Sequence, residues 1–326
     1  MTSKTSDLDT WSEKHHFLEF IRMSKQDWVR FWGAGLIFGT SFFWIKIALA
    51  EISPFMLVGL RTFIGAVGLL TYILLNHSFH FNWKTTPRWL GIFIVIGLLN
   101  IALPWLMITW AEQTTPSAIA AIVNSTTPMF TALLAIFLLQ EDKLNAAKLA
   151  GLLIGFGGVV VLYIPSLRQG SIQNLLALAA MLLAAFMYGI AGIYIKRKAG
   201  DQLPSEIQAF LQMALASIMV WTFNLVTGQP LHFPHLTITW VALLWLGLLG
   251  SNIAYIFSFA LLHSVGPTRS SMFTYVPPLV GLILGAVFLG EQIGWQTLVG
   301  GAMIILGIAI VNLKQFPSFK PVIKDP

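Results

Sequence analysis

The 326-residue chain contains no cysteine, which excludes disulfides, thiolate metal sites and cysteine nucleophiles. Charge is also scarce: Asp, Glu, Lys and Arg make up only 10% of residues, against about 25% in an ordinary soluble domain. Acidic side chains are the rarer sign, 13 against 19 basic ones. So little charge cannot coat a water-exposed surface, which argues against a soluble enzyme, a nucleic-acid-binding domain and a disordered linker. The chain has no G-x-x-x-x-G-K-[ST] phosphate loop, no H-E-x-x-H and no paired-carboxylate motif. Without them ATP hydrolysis and metal-assisted chemistry have no footing. The seven histidines are scattered through tails, loops and helix ends, too sparsely for a metal site. No catalytic residue, metal or cofactor is expected.

What is abundant is apolar. Hydrophobic residues make up 56% of the chain, with 24 Phe and 12 Trp. Ten stretches can each cross a bilayer as a helix, which takes about 20 residues: 31–50, 55–75, 88–109, 117–139, 146–164, 172–195, 205–226, 238–262, 268–289 and 294–313. Runs such as 151–164 do not alternate, which excludes a transmembrane barrel. The expected class is an all-α polytopic membrane protein. The N-terminal tail, 1–30, is polar and has no secretory cleavage pattern, so span 31–50 is read as an uncleaved first helix. Phe17, Phe20, Ile21 and Trp28 fall near one helical face, so this tail is either a short interfacial helix or disordered.

With the N-terminus inside, 16 of the 19 basic residues fall on the inner side, from Lys4 through Lys196-Arg197-Lys198 to Lys324. Only Lys46 and Arg168 lie near the outer face, and Arg61 falls within a span. This is a strong positive-inside bias. The surplus positive charge is therefore a topology signal facing anionic lipid, with no support for a nucleic-acid partner. Both termini, including the tail 314–326, are expected in the cytoplasm.

A shift of 150 residues aligns the chain with itself. Gly39 falls on Gly189, Lys46 on Lys196, Pro54 on Pro204, Gly97 on Gly247, Pro128 on Pro278 and Glu141 on Glu291. The clearest pair is TPMFTALLAIFLLQE at 127–141 against PPLVGLILGAVFLGE at 277–291. Two repeats, 31–164 and 172–313, each hold five helices, and an odd number forces the second copy to enter the membrane inverted. Inverted repeats are the architecture of alternating-access carriers.

Gly39-Thr40-Ser41-Phe42-Phe43 with Lys46, Arg61, Pro128 with Gln140-Glu141, Pro278 with Leu289-Gly290-Glu291, and Gly151 and Gly301 together carry a resemblance. The chain resembles the drug/metabolite transporter superfamily in its EamA-type branch over roughly 31–313. The first copy departs from the family's LGE ending, reading Leu139-Gln140-Glu141. The resemblance implies an inner-membrane permease for small organic molecules, often exporting amino acids or other metabolites.

Polar groups inside spans are the site candidates. Arg61 lies about 10 Å along its helix from Pro54, at 1.5 Å per residue. It either snorkels to the outer interface, closes a helix contact or meets an anionic substrate. Asn100, Asn124, Asn252 and Tyr275 fall near mid-depth, where they either join helices or line a cavity. Trp44, Trp105 and Tyr188 are aromatic cavity candidates, with packing as the alternative. Lys46, Glu51 and Glu112 are outer-side polar or gate candidates. Gly39, Pro128 and Pro278 are hinge or packing candidates, and Gly33-Gly35-Gly39 and Gly151-Gly155-Gly158 form small-residue strips.

The expected function is secondary transport of small organic metabolites, amino acids or related amphipathic solutes, in the export direction and by alternating access. No Asp or Glu lies deep in a span, which favours facilitated diffusion or exchange over proton coupling. The alternatives are a channel-like uniporter and a non-transporting membrane scaffold or enzyme. The expected partners are the small-molecule substrate and membrane lipid. One chain suffices for a pathway, and a dimer is not excluded.

Overall fold

The computed structural model describes residues 23–76, 86–138, 145–199, 203–228 and 230–312. The N-terminal segment before Met23, the tail 314–326 and Gln140-Glu141 lie outside the described residues. Every regular element among the described residues is helical: α1 (Lys25–Ala48), α2 (Pro54–Leu75), α3 (Thr86–Gly97), α4 (Leu103–Ala111), α5 (Ser117–Asn124), α6 (Thr127–Leu138), α7 (Ala146–Gln169), α8 (Ile172–Lys198), α9 (Ser205–Thr227), α10 (Thr237–Leu244), α11 (Ala254–Ser271), α12 (Val276–Phe288) and α13 (Trp295–Asn312). Joined end to end where they are continuous, these give eight apolar helices of membrane-spanning length and two shorter ones, Met272–Phe288 and Trp295–Val311.

Helix starts follow local chemistry. α1 begins at Lys25, ahead of the apolar run, because Ser24 and Asp27 form a capping box: the Asp27 amide donates to Ser24 Oγ (3.1 Å), and the Ser24 amide donates to Asp27 Oδ2 (3.3 Å). Reciprocal capping satisfies donors that the first helical turn leaves open. Asp27 Oδ1 also accepts from Ser264 Oγ of α11 at 2.7 Å, so one carboxylate fixes two helices. Outward-facing Phe137, Leu153, Val226, Val287 and Phe288 are all more than half exposed. Such a surface is unstable in water and at rest in hydrocarbon. The chain is a polytopic membrane protein.

Helix contacts run mainly between the two halves of the chain, and they come in symmetric pairs. α2 packs on α9 and α7 on α13, each pair being its own counterpart at the 150-residue offset. α1 packs against α11 and α12, while α8 packs against α4 and α6. The match extends to residues: Gly39 lies against Pro277 and Val280, and Gly189 against Phe130 and Thr131. Likewise Gly97 meets the backbone of Gln212 and Ala216, while Gly247 meets Ile64 and the Arg61 carbonyl. α7 and α13 approach closely, with Gly151 and Gly158 facing the carbonyls of Gly307 and Gly300. Small residues bring backbones together where lipid supplies no hydrophobic drive. These contacts are consistent with an inverted-repeat architecture.

Four of the helical stretches are interrupted, again in matched places. A π-helical turn at Leu98–Ala102 separates α3 from α4, and another at Trp245–Ile253 separates α10 from α11. In the first, Pro104 stands two residues beyond the turn and lacks the amide that would continue the ladder. In the second, Ser251 Oγ donates to the Leu246 carbonyl (2.8 Å), a side chain inserted into the ladder. α5 and α6 are separated at Ser125-Thr126, and a 3₁₀ turn at Met272–Tyr275 precedes α12. Pro128 and Pro278 each follow these breaks, so neither is an isolated kink. The carbonyl that Pro128 cannot serve, that of Asn124, accepts instead from Thr127 Oγ1 at 2.8 Å.

Candidate functional site

Three of the four interruptions line a cavity of about 370 Å³, and the fourth, the second π turn, reaches it only through Ser251, which holds Arg61. Its wall is mixed. Asn100 comes from the first π turn, and Asn124, Ser125, Thr127 and Pro128 come from the α5–α6 break. Phe273, Thr274 and Pro277 come from the break before α12. Trp105, Tyr188, Tyr255 and Phe38 supply an aromatic lining, and Ser41 and Thr109 add hydroxyls. A second cavity between α2, α4 and α9 is almost wholly apolar, lined by Phe55, Leu106, Trp110 and Phe223 among others, and carries no polar chemistry.

Among the described residues, Arg61 is the one charged side chain on the wall of the first cavity. It is 5% exposed. Its guanidinium carbon lies 3.7 Å from the centroid of a Trp105 ring, and Nε donates to Ser251 Oγ at 3.3 Å. The Ser251 hydroxyl thus couples Arg61 to the π turn, accepting from Nε while donating to Leu246. Among the described residues Arg61 forms no salt bridge. Asn100 Nδ2 donates to Gln212 Oε1 (2.8 Å), joining the first π turn to α9. Asn124 Oδ1 is buried with no hydrogen-bond partner among the described residues.

The other sequence candidates lie elsewhere. Trp44 packs on Trp245, with ring centroids 5.6 Å apart, and Trp245 Nε1 donates to Thr40 Oγ1 at 2.9 Å. Asn252, its amide oriented by hydrogen bonding, donates to the Gly65 carbonyl at 3.0 Å, a tie between α2 and the second π turn. Tyr275 packs against the apolar cluster around Ala121 and Met129, while its neighbour Thr274 faces the cavity.

Lys46, Glu51 and Glu112 gather at one end of the molecule. Lys46 Nζ donates to the carbonyl oxygens of Glu112 (2.5 Å) and Thr115 (3.1 Å), pinning the end of α1 to the α4–α5 loop. The Glu112 side chain itself is fully buried, and both of its carboxyl oxygens lack a hydrogen-bond partner among the described residues. Glu51 Oε1 accepts from the His235 and Leu236 amides, just ahead of α10. Glu291 is the third side chain to tie this end, accepting from the Ser117 and Ala118 amides (2.6 and 3.0 Å) at the start of α5. Gly290 turns the chain there at φ 64°, in the left-handed region glycine tolerates best.

Phe38 and Tyr255 are wall residues that the sequence alone did not single out. The signal that would have found them is the repeat itself: at an offset of 150, Phe38 is the counterpart of Tyr188 and Tyr255 that of Trp105. Phe38 and Tyr255 meet edge to face at 5.6 Å. Arg61 breaks this symmetry, because its counterpart is Leu211.

The chain is 29% identical over 302 residues to YedA, an uncharacterized inner membrane transporter of Escherichia coli strain K12, covering 89% of this chain and 93% of that protein. It is 26% identical to YoaV, an uncharacterized transporter of Bacillus subtilis strain 168, over 84% of this chain and 92% of that protein. A solved crystal structure superposes with a TM-score of 0.62 at 20% identity, over 90% of this chain and 98% of that one, which supports the fold. The profile of the EamA-like transporter family matches twice, at residues 31–164 and 175–313. With both halves matched, the chain belongs to the EamA-like transporter family and is a membrane transporter, not an enzyme.

Proposed function

We propose that the chain is a secondary carrier of small organic metabolites, amino acids or related amphipathic solutes, working by alternating access in the export direction. In this reading ten helices cross the membrane as two inverted five-helix repeats. The observation that carries it is the cavity lined by three helix interruptions, two of them at repeat-related positions. Discontinuous helices at the repeat interface are where carriers of this design bind their solutes. The distribution of basic residues puts both termini in the cytoplasm, and the relative YedA is named as an inner membrane protein, which supports the same location here. The Lys46 end then faces outward, and its ties to Glu112 and Thr115 belong to a state closed to the outside.

Among the described residues no acidic side chain lines the cavity, which favours exchange or facilitated diffusion over proton symport. The test is a solute screen on purified protein in liposomes, measuring uptake and counterflow with and without an imposed pH gradient. Saturable uptake with counterflow is expected. Uptake that never saturates would indicate a channel, strict dependence on the gradient would indicate proton coupling, and no flux of any solute would sink the carrier reading.

A further inference from the structure

Resting on the carrier reading, we propose that the central cavity selects a solute bearing a single negative charge, a monocarboxylate with an apolar or aromatic body, and that Arg61 is its counter-charge.

Three observations converge on this. Arg61 is held at the wall from two sides, by the Trp105 ring and by Ser251, both neutral. An arginine side chain keeps its charge in proteins, and a buried charge is costly unless something opposes it. No carboxylate among the described residues does so by a salt bridge, and buried Glu112 acts on Arg61 only at longer range. A planar carboxylate is the partner for which the guanidinium fork is shaped.

The second observation is the backbone around the cavity. The first residues of α6 and α12, helices of 12 and 13 residues, lie on its wall at Thr127-Pro128 and Pro277. Pro128 and Pro277 offer no amide to a ligand, and the Met129 and Phe130 amides already donate to the Thr126 carbonyl, so these helix starts add only the partial positive charge of their dipoles, of the same sign as Arg61. The third is what the wall lacks, since no Asp or Glu is among its described residues. An ammonium group would face Arg61 with no opposing carboxylate. The aromatic wall alone would suit a cation, but the fixed guanidinium reverses that preference. A doubly charged anion would leave one charge unmatched, because Arg61 has no charged neighbour among the described wall residues and its repeat counterpart is Leu211. The space of about 370 Å³ suits a body of one ring or a branched chain, packed against Phe38, Tyr188, Trp105 and Tyr255.

Matched probe sets test the charge directly. Phenylacetate, phenylacetamide, phenethylamine and phenylalanine, with an isobutyl series beside them, are measured for binding to the detergent-purified protein by tryptophan fluorescence and for flux in liposomes. Phenylacetate is expected to bind at least tenfold more tightly than phenylacetamide and more tightly than zwitterionic phenylalanine, with phenethylamine weakest. Arg61→Gln is expected to abolish that preference and Arg61→Lys to keep part of it, while both variants elute as single peaks and still bind the amides. If amides or amines bind as well as carboxylates, or no carboxylate binds, the inference is overturned. It is overturned equally if Arg61→Gln retains the preference. Binding in detergent is read separately from flux, so a protein that discriminates by charge but carries nothing would sink the carrier reading alone. A carrier indifferent to charge would sink only this inference.

Discussion

Two asparagines with the same chemistry have different neighbours, and the difference predicts different phenotypes. Asn124 lines the cavity and no hydrogen bond ties its Oδ1 to another helix among the described residues, so Asn124→Ala removes a side-chain amide whose N–H groups can donate to a solute carboxylate. One hydrogen bond is worth about 0.5–1.5 kcal/mol, so the half-saturation concentration in counterflow should rise about two- to tenfold, with the melting temperature unchanged. Asn252 spends its amide on the Gly65 carbonyl across a helix contact. Asn252→Ala should therefore lower the melting temperature of the detergent-purified protein, by the equivalent of about 0.6–2 kcal/mol, with affinity close to wild type. A fall in affinity without loss of stability for Asn252→Ala would put that residue at the solute instead. The sequence placed both asparagines near mid-depth and could not separate them. Depth along a helix is readable by counting residues. Which way a helix face turns is set by tertiary packing, and in an apolar span polar residues alone do not mark that face.

At the scale of elements, the spans were readable to within a few residues because bilayer thickness sets their length. Their interruptions were not. A hydropathy reading treats 117–139 as one helix, whereas Ser125 and Thr126 turn the chain between α5 and α6, their hydroxyls donating to the Ile122 and Val123 carbonyls at 2.6 and 2.7 Å. Pro104, Pro128 and Pro277-Pro278 were visible hints, but the second π turn contains no proline and rests on Ser251. The small-residue strip on α7 was readable as well, and it makes a graded prediction. A Cβ at position 158 would lie 2.6 Å from the Gly300 carbonyl, a backbone atom that cannot move aside, whereas one at 157 would meet only the end of Met303 at 3.4 Å. Gly158→Ala should destabilise by about 1–3 kcal/mol through overpacking, seen as a lower melting temperature in detergent. Gly157→Ala should be neutral or slightly stabilising, since glycine within a helix costs up to about 1 kcal/mol relative to alanine. Equal effects at the two positions would mean that α7 and α13 are not packed as tightly as their glycines indicate.

At the scale of the whole molecule, the proposed carrier cycle gives the ties at the Lys46 end the task of closing that side of the cavity. Lys46 bonds two carbonyls of the α4–α5 loop, and Glu291 holds the start of α5 beneath them. The repeat counterpart of Lys46 is Lys196, in a basic cluster at the far end of α8, so a lysine stands near the end of the first helix of each repeat. Hydrogen bonds from a charged donor contribute about 1.5–3 kcal/mol, so Lys46→Met should shift the balance toward the outward-open state by on the order of tenfold or more. The absence of cysteine makes this measurable without a background. A single cysteine at Ser41, buried on the cavity wall, should react with a membrane-impermeant thiol reagent slowly from outside in the wild type and several-fold faster when Lys46→Met is added. Cysteines at Gln113 and Lys198, both exposed and at opposite ends in the proposed topology, fix the sidedness in the same cells: the first should label in intact cells and the second only after permeabilisation. If Lys198 labels first, the orientation is reversed and the Lys46 lock seals the cytoplasmic side. If Lys46→Met leaves the Ser41 rate unchanged with the sidedness as proposed, Lys46 is a structural tie and the closure rests on Glu291 and the helix contacts around it.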